Sequence, residues 1–109
     1  MVNSKIKVYS GTRATGRLHL GNYLGMVKGA IDLQNKYSCV YSVVDLHAIT
    51  TPYEKDSLSE NTLNVVLDYL AAGLDPEKSL IEVQSLVPQH MELAYYLGTL
   101  YPVSRLEDL

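Results

Sequence analysis

The sequence is poor in cysteine: Cys39 is the one cysteine among its 109 residues. A single cysteine excludes an intramolecular disulfide, and this one lies in the apolar run CVYSVV, where a thiol packs as a small hydrophobic group. A fold that does not depend on disulfides is typical of a reducing compartment. We therefore expect a cytoplasmic protein.

Long apolar runs and clusters of basic residues are also absent. No stretch reaches membrane-spanning length, and the N-terminal residues lack the apolar stretch of a signal peptide. The net charge is −3, with both signs scattered along the chain, so no basic stripe suits the clamping of nucleic acid. We expect no membrane partner, and we expect any RNA partner to make its main contacts elsewhere.

Alternating strand and helix patterns dominate what is present. Hydrophobic residues make up 47% and charged residues 19%, as in ordinary globular domains. Alternation and short apolar runs predict strands over 6–10, 39–44 and 80–84, and helical spacing predicts helices over 20–36, 57–72 and 88–100. This order predicts an α/β fold with a parallel sheet in the order 3-2-1, one mononucleotide-binding half.

Each predicted helix has an apolar face. The first face is assigned to Tyr23, Leu24, Val27, Ala30, Ile31 and Gln34, and the last to Met91, Leu93, Ala94, Leu97 and Leu100. The middle helix is expected to begin with a capping box between Ser57 and Glu60, to end at Gly73, and to bury Leu58, Leu63, Val66, Leu67, Leu70 and Ala71. Both crossovers should cover the same side of the sheet, which leaves the other side dependent on later elements.

The segment from Gly11 to Asn22 joins the first strand to the first helix, with a loop predicted over 11–16. Ligands of parallel sheets bind beyond the carboxyl ends of the strands, and a helix N-terminus there favours phosphate. His19 and Asn22 are three apart, so both can donate hydrogen bonds from one face, and Gly21 leaves bare backbone for an adenine ring. The alternative is an ordinary helical first turn with no ligand.

Three segments of this sequence resemble one enzyme family. HLGN at 19–22 looks like the HIGH signature of class I aminoacyl-tRNA synthetases, and Asn in its last place is common in the tryptophan-specific members. VVDLHAIT at 43–50 and PVSRLE at 102–107 are similar to further segments of those members. The resemblance implies a Rossmann-like catalytic domain, of which residues 1–109 are expected to be an incomplete N-terminal part.

The resemblance also implies residue roles at an ATP site. His19 and Asn22 would act as the catalytic pair, holding ATP phosphates during adenylate formation, and Gly21 would pack on adenine. Gly11 would border ATP as well. Arg13 stands where bacterial tryptophan enzymes often have Gln, and it could still reach a phosphate. Mg²⁺ would be bound through the ATP phosphates, and no residues here have the spacing of a metal site.

The amino-acid pocket and the partners follow from the same resemblance. Tyr9, Gly11 and His47 would border the substrate, expected to be tryptophan, although Tyr9 and His47 also suit purely structural roles. The tRNA would bind mainly through regions outside this segment, and a homodimer is expected. The alternatives are a tyrosine-specific relative, a small nucleotidyltransferase of similar fold, and a non-enzymatic binding module.

Overall fold

A three-stranded parallel sheet organises the structure, a computed structural model that describes residues 3–106 and the side chains of 6–105. The strands are β1 (Asn3–Arg13), β2 (Tyr37–Val44) and β3 (Ser79–Val83), and β2 lies in the centre. Thr12 pairs with Val43, which pairs with Val83. The predicted α/β class, parallel pairing and strand order are confirmed.

Helices connect and follow the strands. Helix α1 covers residues 20–33, and a short helix α2 (Asp45–Ala48) follows β2. A 3₁₀ turn (Lys55–Ser57) leads into α3 (Leu58–Ala72), and a second 3₁₀ turn (Gln84–Leu86) follows β3. The described chain closes with α4 (Gln89–Leu100) and α5 (Val103–Leu106). Among the residues from 3 to 106, no helix is long and apolar enough to cross a membrane.

The core lies on one side of the sheet, where α1 and α3 pack together against β2. Successive strand residues point to opposite faces, so alternate residues of β2 share this face. The buried core residues from these three elements are Val27, Ala30, Cys39, Tyr41, Val43, Val65 and Tyr69. Both crossover helices therefore cover the same face, as expected for right-handed connections.

Two buried tyrosines join the layers by hydrogen bonds. The Tyr41 hydroxyl donates to the carbonyl of Ala30 on α1 at 3.0 Å, and the Tyr69 hydroxyl donates to the carbonyl of Ser42 on β2 at 3.3 Å. Burial raises the pKa of both phenols, because the charged form loses its hydration. Each ring thus fills the core while its polar atom is satisfied.

A wide turn near the start of α1 changes the face that the helix buries. Regular α-helical turns at Leu20–Asn22 and Lys28–Leu33 flank a π-helical turn, Tyr23–Val27, in which Lys28 N–H bonds to the carbonyl of Tyr23. The extra residue rotates the first turn relative to the rest by about 100°. The prediction that Tyr23 and Leu24 belong to the buried face is wrong, since they are 38% and 58% exposed.

Helix α3 ends as predicted but begins differently. Gly73 adopts φ +110°, and Leu74 N–H bonds to the carbonyl of Tyr69, which closes a Schellman motif. The capping box is wrong, because the Ser57 hydroxyl donates to the carbonyl of Glu54 instead of capping the helix. The predicted apolar face is also partly wrong: Val65 and Tyr69 are buried, whereas the exposed members are Leu63, Leu67, Leu70 and Ala71.

The opposite side of the sheet is only lightly covered. Leu80 on β3 is 60% exposed, and every residue of α4 from Met91 to Leu100 is exposed. Within residues 3–106, β1 pairs with β2 alone, so its second edge has no strand beside it. Helix α4 lies where the last predicted helix was expected, but its leucines do not pack into the core.

Candidate functional site

A cavity of about 480 Å³ opens where β1 ends and α1 begins. Strand β1 continues further than predicted, so Gly11, Thr12 and Arg13 are strand residues and the loop covers 14–19. The cavity brings together all five residues predicted for ATP. Its lining consists of Gly11, Thr12, Arg13, Thr15, Gly16, Arg17, Leu18, His19, Gly21, Asn22, Gly25 and Met26.

His19 and Asn22 cap the N-terminus of α1 reciprocally. His19 Nδ1 accepts hydrogen bonds from the backbone N–H groups of Gly21 at 3.1 Å and Asn22 at 3.3 Å. Asn22 Oδ1 in turn accepts from the backbone N–H of His19 at 3.1 Å. An Nδ1 that accepts must be unprotonated, so the proton of the neutral ring is on Nε2.

This capping leaves donors available at the cavity. With Nδ1 of His19 occupied, Nε2–H is the free imidazole donor, and with Oδ1 of Asn22 occupied, the side-chain NH₂ group is free. Both side chains line the cavity at a helix N-terminus, where the backbone dipole favours negative charge. The geometry suits an anion bound against the first turn of α1.

The absence of a side chain at Gly21 has a structural role that the sequence alone did not indicate. A Cβ atom at this position would lie 2.9 Å from Cε1 and 3.0 Å from Nδ1 of the His19 ring. The missing side chain therefore gives the imidazole room to fold back over the first turn and cap it. Its predicted contact with adenine stays a prediction.

Gly11 allows close packing between two strands. A Cβ here would lie 2.6 Å from both the Ser42 carbonyl oxygen and Val44 Cγ2, too near for any side chain. Gly11 is paired with Ser42 and is exposed at the cavity. Its predicted place at the ligand is compatible with this packing role.

Two arginines line the cavity, and no carboxylate lines it among residues 3–106. Arg13 is exposed at the end of β1. Arg17 does not stand free in solvent, because its guanidinium pairs with Asp68 on α3. These residues fit phosphate groups and offer no direct ligand for Mg²⁺. Among residues 3–106, no three His, Cys, Asp or Glu side chains cluster as metal ligands.

Tyr9 and His47 do not line this cavity. The Tyr9 hydroxyl donates to Glu82 Oε1 at 3.3 Å, and its ring meets the His90 ring edge-on at a centroid distance of 6.4 Å. His47 is exposed on α2, where its Nδ1 lies 3.1 Å from the Thr50 hydroxyl. Their roles at an amino-acid pocket therefore stay predictions.

Asp45 ties the ends of two strands together at this edge of the sheet. Its Oδ1 accepts from the N–H of Leu46 and, at 3.0 Å, from that of Ser85 after β3. It thus caps the turn after β2 and also holds the 3₁₀ turn beside it.

The chain matches the family model for tRNA synthetases class I (W and Y) over residues 1–109. It therefore belongs to this family of tryptophanyl- and tyrosyl-tRNA synthetases. The alternative of a small nucleotidyltransferase is not supported.

The named relatives point to one branch of the family. Over 98 residues the chain is 49% identical to a tryptophan–tRNA ligase of Fusobacterium nucleatum, covering 90% of this chain and 30% of that protein. It is 41% identical to the ligase of Clostridium tetani, covering 99% and 34%. The chain thus spans about a third of the length of these relatives.

The solved structures that match this chain include the same two kinds of synthetase. The tryptophanyl-tRNA synthetase of Campylobacter jejuni matches with a TM-score of 0.85 at 34% identity, covering 98% of this chain and 33% of that one. The same enzyme has been solved complexed with ADP and tryptophan. A tyrosyl-tRNA synthetase of Archaeoglobus fulgidus matches at 19% identity and a TM-score of 0.77, covering 91% and 32%, a likeness of fold alone.

Proposed function

We propose that the full-length protein activates tryptophan with ATP and transfers it to tRNA(Trp), and that this chain supplies the ATP-binding part. The observation that supports this most is the reciprocal cap, which leaves donors of His19 and Asn22 facing a cavity with two arginines and no carboxylate. The tryptophan–tRNA ligases among its relatives favour tryptophan over tyrosine as the substrate.

The reaction needs no nucleophile from the protein. The carboxylate of tryptophan attacks the α-phosphorus of ATP, a new O–P bond forms, and the bond to the β-phosphate oxygen breaks to release pyrophosphate. Negative charge on the phosphate oxygens must be stabilised as this happens. Nε2–H of His19 and the NH₂ group of Asn22 are donors fixed in advance by the cap, and such preorganised donors lower the barrier.

Arg13 and Mg²⁺ would complete the charge balance. Arg13 lines the cavity and attracts the triphosphate, whereas Arg17 lines it with its guanidinium paired to Asp68. Mg²⁺ would be held through the ATP phosphates, because no acidic side chain among residues 3–106 lines the cavity.

The amino acid would lie beside this cavity along the same edge of the sheet. Gly11 is common to both predicted sites, and β2, which ends just before His47, is the neighbour of β1. We propose that Tyr9 and His47 border tryptophan, with the Tyr9 phenol oriented by Glu82.

Partners and location follow the same proposal. We propose that residues 1–109 form the N-terminal part of the catalytic nucleotide-binding domain and that tRNA binds mainly through other regions. The exposed apolar residues of α4, including Leu93, Leu97 and Leu100, support a homodimer. The scarcity of cysteine supports a cytoplasmic location.

The test is exchange of labelled pyrophosphate into ATP by the full-length protein, with tryptophan, tyrosine or no amino acid. We expect exchange that depends on tryptophan, followed by charging of tRNA(Trp). Exchange with tyrosine alone would move the protein to the other branch of the family, and no exchange with either amino acid would refute the proposal.

A further inference from the structure

Asp68 on α3 holds the loop of the ATP cavity, although it lies outside the cavity lining. Its Oδ2 accepts a hydrogen bond from the backbone N–H of Leu18 at 2.8 Å and another from Arg17 Nε at 3.1 Å. Its Oδ1 meets Nη2 of Arg17, which completes a two-pronged ion pair. One carboxylate therefore fixes two consecutive residues of the loop.

The geometry points to Asp68 as a positioning residue for the His19–Asn22 turn. This inference rests on the function proposed above. Leu18 immediately precedes His19, so a bond to its N–H fixes the chain where it enters the cap. The Asp68 side chain is only 13% exposed, which shields the contact from competing water. The loop and α3 are 50 positions apart in sequence, so this contact links the cavity to the core.

The same contact determines where the positive charge of Arg17 lies. Arg17 lines the cavity, and its side chain is 68% exposed, yet its guanidinium is turned to Asp68. A planar guanidinium held by two bonds at one carboxylate has little freedom to collapse into the cavity. Asp68 thus keeps the cavity open as well as fixing its loop.

A merely stabilising ion pair would make a different prediction. Loss of stability alone would lower kcat in proportion to the unfolded fraction and leave KM for ATP and KM for tryptophan unchanged. A positioning role would also raise KM for ATP but not KM for tryptophan, because the loop lines the ATP cavity and Asp68 hydrogen-bonds to no residue predicted for the amino-acid pocket.

The experiment compares four variants of the full-length protein in pyrophosphate exchange. Asp68→Ala removes all contacts, Asp68→Asn keeps an acceptor for Leu18 N–H but removes the charge, and Arg17→Gln removes the guanidinium while Asp68 keeps its bond to Leu18 N–H. Asp32→Asn, an exposed carboxylate on α1, is the matched control. Hydrogen–deuterium exchange of the peptide covering 14–22 reports loop order independently of activity.

We expect Asp68→Ala to lower kcat/KM for ATP by about 100-fold, as displaced catalytic groups do, with part of the loss in a higher KM for ATP, while KM for tryptophan changes by less than about twofold. Asp68→Asn should recover part of this loss, and exchange in 14–22 should rise in Asp68→Ala but not in Asp32→Asn. If Asp68→Ala does not fold, Asp68→Asn provides the same comparison.

Unchanged kcat/KM for ATP in the folded Asp68 variants would overturn the inference, and so would a loss confined to kcat with KM for ATP unchanged. Either result would leave the proposed function intact if the unaltered protein still performs tryptophan-dependent exchange. Absence of that exchange in the unaltered protein would instead refute the proposed function.

Discussion

His19 is expected to contribute to stability and to catalysis by separate atoms, and two substitutions can separate them. His19→Ala removes both the Nδ1 acceptor that caps α1 and the Nε2–H donor at the cavity. Loss of an N-cap costs about 1 kcal/mol, and loss of one preorganised donor costs about 3 kcal/mol of transition-state stabilisation, or roughly 100–1000-fold in rate. His19→Asn offers a short side-chain oxygen that can still cap the helix, but it cannot replace the reach of Nε2–H.

The assays are thermal unfolding and tryptophan-dependent pyrophosphate exchange by the full-length protein. His19→Ala should unfold only a few degrees lower and lose activity by about two to three orders of magnitude. His19→Asn should unfold like the unaltered protein and lose activity to a similar extent. Normal exchange by folded His19→Ala would refute the reasoning, and normal exchange by His19→Asn would show that capping is what matters.

Three further predictions concern single side chains. Gly21→Ala should displace the His19 ring and lower kcat/KM for ATP by about 100-fold. The melting temperature should not fall, because alanine favours the helix by about 1 kcal/mol. Normal ATP kinetics would contradict this prediction. His47→Ala should raise KM for tryptophan about fivefold, the value of one hydrogen bond, and change KM for ATP less; equal effects would make it structural. Gln34→Ala should lower the free energy of unfolding in denaturant by about 3 kcal/mol, because this buried amide donates to the carbonyl of Gly73 at 3.0 Å and accepts from the N–H of Asp75 at 2.9 Å. The exposed control Asn35→Ala should cost under about 0.5 kcal/mol. An equally small loss at Gln34 would show that these two hydrogen bonds do not stabilise the fold.

The sequence predicted the order of elements well because each strand and helix has its own local pattern. Apolar runs at β2 and β3 and the glycine after α3 are signals contained within a few residues. The convergence of Gly11, Arg13, His19, Gly21 and Asn22 on one cavity also followed from topology, since all lie near the carboxyl end of one strand.

Features that depend on distant contacts could not be predicted in this way. The sequence predicts a loop from Gly11 onward, yet pairing with Ser42 extends β1 through Gly11. The role of Asp68 depends on a loop 50 positions away, and the leucines of α3 have helical spacing whichever face is buried. The π turn is a feature of backbone geometry that no residue type in this stretch indicates.

The π turn at Tyr23–Val27 makes the site sensitive to chain length as well as to residue identity. It contains one residue more than regular α-helical winding requires between the capped turn and the packed part of α1. Deleting one residue from this stretch would restore regular α-helical hydrogen bonding along the whole helix. The deletion would also force either the His19 cap away from the cavity or Val27 out of the core. Insertions and deletions here should therefore be far less tolerated than substitutions at the exposed Leu24, even though both fall in the same turn.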